Sequence, residues 1–144
     1  MPNFNRIASN IARVSTKKPY QDLNDSLEYF EEHECSINTS LLQRIHLSIY
    51  GNILGMTIWA VDGEIVRNEV DIDFTTGGNP SRYRYVPNNE IWIESTLKPN
   101  DFAAVVMHET FEYILMRYYK LSYDDAHDKS NIFEWKIRQT IKDR

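Results

Sequence analysis

The chain has 144 residues, which is enough for one domain and too few for two sizeable hydrophobic cores. Its 42% hydrophobic and 26% charged residues are typical of a folded globular protein and exclude a disordered chain. With 16 Lys plus Arg against 21 Asp plus Glu, the net charge is -5, so the protein as a whole repels phosphate backbones. We therefore expect a single domain over residues 1–144 and no nucleic-acid partner.

Cysteine content and hydropathy indicate the compartment. Cys35 is the only cysteine, so the chain has neither an internal disulfide nor a thiolate cluster for a metal. The longest mainly apolar run, Phe102 to Met107, is far shorter than the ~20 residues that cross a bilayer, and the N-terminus has no signal-like apolar segment. These features predict a cytoplasmic protein with no membrane partner.

The N-terminal segment, residues 1–40, has one helical pattern. Leu23, Leu27 and Phe30 are spaced like the apolar side of a short amphipathic helix between Tyr20 and Glu34. We therefore expect this segment to be helical and to precede the rest of the fold.

Residues 44–95 alternate between apolar and polar side chains with the period of two that is typical of strands with one buried face. Asp62-Gly63 is a strong hairpin signal between two such runs, and residues 75–80 are expected to form a loop. The alternating apolar positions are Ile45, Leu47, Ile49, Met56, Ile58, Ala60, Val70, Ile72, Phe74, Ile91 and Ile93. Because the strands are grouped before the helices, the pattern predicts an α+β fold with a mainly antiparallel sheet.

Residues 100–142 have the apolar spacing of two helices. Asn100 or Asp101 can cap the first helix, which is expected to reach Tyr118. Ser122 followed by Asp125 has the spacing of a capping box, so a second helix is expected to begin there. A tight turn between them would fold the second helix back, giving a packed C-terminal helix pair.

The first of these helices contains His108-Glu109-Thr110-Phe111-Glu112, which is His-Glu-x-x-His with Glu in place of the second His. His108 and Glu112 are one turn apart and project within about 40° of each other, so both can reach one cation. Glu109 is rotated by about 100° from His108, where a carboxylate can act as a general base on an activated water. An unpaired imidazole directly after the apolar run would be costly to bury, which favours a metal site over a solvated helix face.

Two ligands do not hold zinc, so a third must come from elsewhere in the chain. His127 lies near the start of the second helix, on the same face as Asn131 and Glu134. We predict that His127 is the third ligand, and that Glu134 is either a fourth ligand or a carboxylate that orients a ligating imidazole. Tyr123 and Tyr83 are candidates by residue type for the donor that an oxyanion would need.

The segment Val106-Met107-His108-Glu109-x-x-Glu112 resembles the active helix of zincin-type metallopeptidases. Together with Glu90-Ile91-Trp92-Ile93-Glu94 and Tyr123-x-x-Ala126-His127-x-x-x-Asn131-x-x-Glu134, it resembles small, mostly uncharacterised phage and bacterial proteins classed as zincin-like metallopeptidases. The match covers the C-terminal part of the chain, from Glu90 onward.

This resemblance implies a zincin-like fold with Zn²⁺ bound by His108, Glu112 and His127. It also implies that Glu109 is the general base, and that a peptide or protein substrate lies in a cleft lined by the strand before the helix. Glu112 is a harder and more negative ligand than the His it replaces, so another divalent metal is an alternative to zinc.

Two other functions compete with a hydrolase acting on a peptide or amide bond. One is a noncatalytic interaction protein that keeps a structural or vestigial metal site. The other is a two-histidine phosphoesterase, because His46-Leu47-Ser48 and His108-Glu109-Thr110 both match His-x-Ser/Thr, although that class needs both motifs on strands. The loop Thr75-Thr76-Gly77-Gly78-Asn79 lacks a following Gly-Lys-Ser/Thr, so we expect a turn or a loop over the site.

Overall fold

The computed structural model describes residues 37–142. The predicted helix between Tyr20 and Glu34, and most of the N-terminal segment that contains it, lie outside these described residues. The elements are α1 (Thr39–Ile45), β1 (His46–Ile53), β2 (Met56–Val61), α2 (Gly63–Glu69), β3 (Gly77–Gly78), β4 (Glu90–Glu94), α3 (Pro99–Arg117) and α4 (Tyr123–Lys142).

The four strands form one sheet in the order β1-β2-β4-β3. β1 and β2 make an antiparallel hairpin, and the short strand β3 pairs antiparallel with β4. The central pair, β2 and β4, is parallel, with Trp59 opposite Trp92. The α+β prediction is confirmed, but the expected mainly antiparallel sheet is wrong. Parallel neighbours need a crossover connection, which α2 and the segment 70–89 supply here.

The predicted hairpin turn at Asp62-Gly63 is also wrong. Asp62 is instead the N-cap of α2, and its side chain accepts a hydrogen bond from the backbone N–H of Ile65 at 3.2 Å. A Cβ at Gly63 would overlap the carboxylate of Glu94, so a larger residue there would displace that side chain from its ion pair with Arg67. The same Asp-Gly pair that can close a hairpin therefore begins a helix that packs against the sheet.

The strand predicted over Val70, Ile72 and Phe74 is replaced by turns. The backbone carbonyl of Asp71 accepts from Phe74 N at 3.1 Å, and its side chain accepts from Asp73 N at 2.9 Å. Phe74 is fully buried whereas Ile72 is exposed, so the alternating residues do not share one buried face. Local side-chain bonds from Asp71 outcompete a strand here.

The sheet has a hydrophobic core on each face. Ile91 and Ile93 of β4 pack into the core that includes α3 and α4, while Trp92 belongs to the core with α1 and α2. This division follows from the alternation of side chains along a strand. α3 is thereby held against the sheet, and its inner face carries the candidate site.

The predicted C-terminal helix pair is confirmed. α3 begins at Pro99 without a side-chain cap, so Asn100 and Asp101 lie inside its first turn rather than capping it. Ser122 caps α4 as predicted, its hydroxyl accepting from Asp125 N at 3.2 Å. Within residues 37–142, the helices lack the combination of length and apolar character that a membrane crossing requires.

The cap at Asp62 gives a test of this corrected topology. Asp62→Ala should lower the free energy of unfolding by about 1 kcal/mol, because the first turn of α2 loses its side-chain acceptor. Chemical denaturation of the variant measures this change. The matched control is Asp73→Ala, which removes an exposed carboxylate from the following turn and should change stability by less than about 0.5 kcal/mol. Equal stabilities of the two variants would contradict the assigned cap.

Candidate metal centre

The turn between α3 and α4 brings the two helices side by side. Lys120 has a φ of 56°, the left-handed conformation that reverses the chain after a helix. The backbone N–H of Leu121 bonds back to the carbonyl of Leu115 at 3.1 Å, which closes the end of α3. α4 then runs against α3, and His127 reaches the side chains of the His-Glu-x-x-Glu segment.

Three side chains converge between the helices. Oε2 of Glu112 lies 3.1 Å from Nε2 of His108 and 3.0 Å from Nδ1 of His127. One ligand atom from each residue lies within 4.8 Å of the other two, so the group could hold a metal ion. The structure therefore brings together the three residues that the sequence analysis selected as ligands.

The residues present fit a zinc ion. Two imidazoles and one carboxylate are ligands that zinc takes in enzymes, with the fourth position left for water or substrate. Tetrahedral bonds of ~2.0 Å place neighbouring ligand atoms about 3.3 Å apart, close to the separations from Glu112 to each imidazole. The side chains of His108 and Glu112 are 7% and 2% exposed and that of His127 is 39% exposed, so the group is buried at α3 and reaches water at His127.

Glu134 lies behind His108. Its Oε1 is 2.9 Å from Nδ1 of His108, the ring nitrogen that faces away from Glu112, but it lies off the direction of a good hydrogen bond. Its Oε2 accepts from Nε of Arg138 at 2.8 Å, and Arg138 also pairs with Asp101 at 2.5 Å. Glu134 is not in the group whose ligand atoms converge, and its predicted role as a carboxylate that orients an imidazole stays a prediction.

Glu109 is held by a residue that the sequence analysis did not select. Asn79 is fully buried, and its Nδ2 donates to Oε2 of Glu109 at 3.0 Å and to Oε1 of Glu112 at 3.2 Å. Its Oδ1 accepts from the backbone N–H groups of Ser81 at 2.9 Å and Arg82 at 3.1 Å. One amide thus ties the loop that follows β3 to both carboxylates of α3.

Burial and neighbouring charges shift the pKa values of the centre. Burial, together with the negative charge of Glu112, raises the pKa of Glu109 to about 8, against the opposing effects of His108 and Asn79. Burial lowers the pKa of His108, but contacts with Glu112 and Glu134 outweigh it and raise this pKa to about 10. Burial raises the pKa of Glu112, and the bonds to the two imidazoles reverse this and lower it. The carboxylate of Glu112 therefore stays charged because positive partners surround it, whereas burial favours the protonated form of Glu109.

A cavity of about 180 Å³ opens beside these residues. Gly77 of β3 lies so close to α3 that a Cβ there would be 3.0 Å from Cγ of Glu109 and from Cγ1 of Val105. The lining residues are Thr75, Thr76, Gly77, Arg82, Tyr83, Val105, His108, Glu109, Glu112, Tyr123, His127, Asn131 and Glu134. The expected loop over the site therefore forms one wall of the cavity. The lining strand is β3, at the sheet edge, and not β4 as the resemblance implied.

Both candidate tyrosines line the cavity, with Arg82 beside them. Tyr123 stacks on His127 with ring centroids 5.2 Å apart, and its hydroxyl lies 3.5 Å from Nδ1 of that histidine. The guanidinium carbon of Arg82 is 4.0 Å from the ring centroid of Tyr123 and 5.0 Å from that of Tyr83. Burial raises the pKa of Tyr83, so its hydroxyl stays protonated and can donate a hydrogen bond.

His46 lies in a different environment. Its Nε2 is 2.6 Å from Oε1 of Glu90, and its ring stacks on Trp59 with centroids 3.9 Å apart. It is not among the residues that line the cavity at His108. His108 is also on a helix, so the paired motifs of a two-histidine phosphoesterase do not form a common site among the described residues.

The chain was compared with protein-family models, curated proteins and solved structures, and none of them matches it significantly. The α+β architecture follows from the described residues themselves. The zincin-like fold implied by the sequence resemblance stays a prediction.

The position of Glu134 can be tested through metal affinity. Glu134→Gln should weaken zinc binding about 10- to 100-fold, because an imidazole loses the carboxylate that orients it, whereas Glu112→Gln should abolish tight binding. Competition with a chelating dye measures both affinities, and circular dichroism checks folding. Glu64→Gln, which changes an exposed carboxylate on α2, is the control with unchanged affinity. Loss of zinc from Glu134→Gln as complete as from Glu112→Gln would make Glu134 a direct ligand.

Proposed function

We propose that this protein is a zinc-dependent hydrolase of the metallopeptidase type, with a zincin-like arrangement of its helix pair, that cleaves a peptide or amide bond. The observation that carries the proposal is the convergence of ligand atoms from His108, Glu112 and His127 within 4.8 Å of one another. The three residues line a cavity that also contains Glu109. A site with three protein ligands and an accessible fourth position is typical of catalytic zinc.

Glu109 acts as the general base and then as the general acid in this proposal. A zinc ion held by the three residues would polarise a substrate carbonyl and lower the pKa of a water molecule. Glu109 accepts the proton of the attacking water and passes it to the leaving nitrogen. Asn79 donates to Oε2 of Glu109, which fixes the carboxylate and leaves its other oxygen for the proton transfer.

The tyrosines supply hydrogen-bond donors in this proposal. The transition state of amide hydrolysis carries negative charge on the former carbonyl oxygen, and preorganised donors stabilise it. Tyr123 and Tyr83 both line the cavity. We assign this role to Tyr123, because its hydroxyl lies 3.5 Å from Nδ1 of the proposed ligand His127 and therefore next to the reacting groups.

Glu109→Gln tests the catalytic part of the proposal. The variant should keep about one zinc per chain and lose hydrolysis by about 100- to 10,000-fold, because glutamine cannot accept the proton. Elemental analysis of protein purified without added metal gives the zinc content. Mass spectrometry of a randomised peptide mixture gives turnover. Zinc bound to a wild-type protein that cleaves nothing in the mixture would favour a noncatalytic protein with a structural metal.

Two histidine variants test the ligand set. His127→Ala should lose most of its zinc because the site is left with two protein ligands, whereas His46→Ala should keep it because His46 pairs with Glu90 away from the cavity. The zinc content of the two purified variants is compared with that of the wild type. Equal zinc content in His127→Ala and the wild type would remove His127 from the site, and with it the proposed centre.

A further inference from the structure

Arg82 is a cation on the cavity wall. Its guanidinium packs over the rings of Tyr123 and Tyr83, and within residues 37–142 it makes no ion pair. In contrast, Arg44, Arg67 and Arg138 each pair with a carboxylate. Stacking on aromatic faces orients a guanidinium while its N–H groups at the edge stay available.

The position of Arg82 is fixed relative to the proposed catalytic groups. The backbone N–H of Arg82 donates to Oδ1 of Asn79 at 3.1 Å. The Asn79 side chain in turn donates to Glu109 and Glu112. The backbone N–H of Tyr83 also bonds to the carbonyl of Asn79 at 2.9 Å. Asn79 therefore links the backbone at Arg82 to the carboxylates of Glu109 and Glu112.

The charges of the side chains that line the cavity indicate what Arg82 can bind. The remaining charged side chains of the cavity are Glu109, Glu112 and Glu134, with the two histidines. A guanidinium matches a carboxylate through two parallel hydrogen bonds. The cavity, at about 180 Å³, is smaller than the ~300 Å³ at which pockets for drug-sized ligands begin. It therefore suits the end of a peptide chain better than a long internal stretch.

Resting on the proposed hydrolase function, we propose that Arg82, held between Tyr83 and Tyr123, forms a subsite for the terminal carboxylate of a peptide substrate. The enzyme then removes a residue from the C-terminal end of a peptide. Water attacks the carbonyl carbon of the last amide bond, the C–N bond breaks, and the leaving nitrogen takes the proton from Glu109. The products are a shortened peptide acid and a free amino acid.

The test measures peptide binding separately from peptide hydrolysis. The zinc-loaded Glu109→Gln protein is dialysed against randomised N-acetylated tetrapeptides, prepared once with a free terminal carboxylate and once as the terminal amide. Mass spectrometry should find the acids retained about tenfold or more above the amides, the effect of losing charge-assisted hydrogen bonds. Equal retention of the two pools, or retention of neither, would overturn the subsite.

Variants of the loop assign the preference to one side chain. Arg82→Gln, added to Glu109→Gln, should abolish the preference for acids, and Arg82→Lys should restore part of it. Arg84→Gln removes the same charge two residues further along, outside the cavity lining, and should leave the preference unchanged. Zinc content and thermal unfolding confirm that each variant is intact. An acid preference that survives Arg82→Gln would overturn the assignment, and the comparison of the two pools stands even if that variant does not fold.

Turnover by the wild-type protein separates the two proposals. If zinc-loaded wild type hydrolyses neither pool while Glu109→Gln still prefers acids, the hydrolase fails and the carboxylate subsite is supported. If wild type cleaves internal bonds of acids and amides at equal rates, the hydrolase is supported and the subsite fails.

Discussion

A buried carboxylate between two imidazoles is the contact on which the site depends. The side chain of Glu112 is 2% exposed, and a carboxylate in that position is stable only with partners that replace water. Those partners come from three parts of the fold: His108 on α3, His127 on α4 and Asn79 on the loop after β3. α3, α4 and the loop after β3 therefore all contact one charged group, the carboxylate of Glu112.

Two buried carboxylates share the site. Glu109 and Glu112 are both buried on successive turns of α3, and their mutual repulsion contributes to the raised pKa of Glu109. Removing water strengthens every remaining electrostatic interaction, so a divalent cation at Glu112 would stabilise both carboxylates. Arg82 lies at the exposed side of the same cavity, where its guanidinium packs over the rings of Tyr83 and Tyr123 and, within residues 37–142, makes no ion pair.

The sequence could predict the parts of this site that depend on helical geometry. His108, Glu109 and Glu112 are placed by the pitch of one helix, and the short turn before Ser122 limits where His127 can lie. Asn79 and Arg82 could not be predicted in their roles, because their contacts with α3 and α4 cross 30 or more positions of the chain. The only local signal was an Asn in a Gly-rich loop, which predicts a turn and says nothing of what the amide meets.

The difference between local and long-range contacts also explains which parts of the fold could be predicted. Alternation identified β1, β2 and β4, and helical spacing identified α3 and α4. The buried face expected for β1 is wrong, because Leu47 and Ile49 are exposed. The parallel pairing of β2 with β4 depends on a crossover, which the pattern of neither strand encodes. Asp62-Gly63 is compatible with both a hairpin and a helix start, and in the structure the Asp62 side chain caps the helix. The period of two at Val70 to Phe74 belongs to a turn because Asp71 satisfies the backbone locally.

X-ray absorption at the zinc edge of the loaded wild-type protein tests the centre most directly, since it reads the ligands of the ion itself. We predict about four ligand atoms at ~2.0–2.1 Å, with the outer-shell scattering of two imidazole rings. A spectrum of six oxygen ligands with no imidazole scattering would contradict it, because the ion would then lie away from His108 and His127.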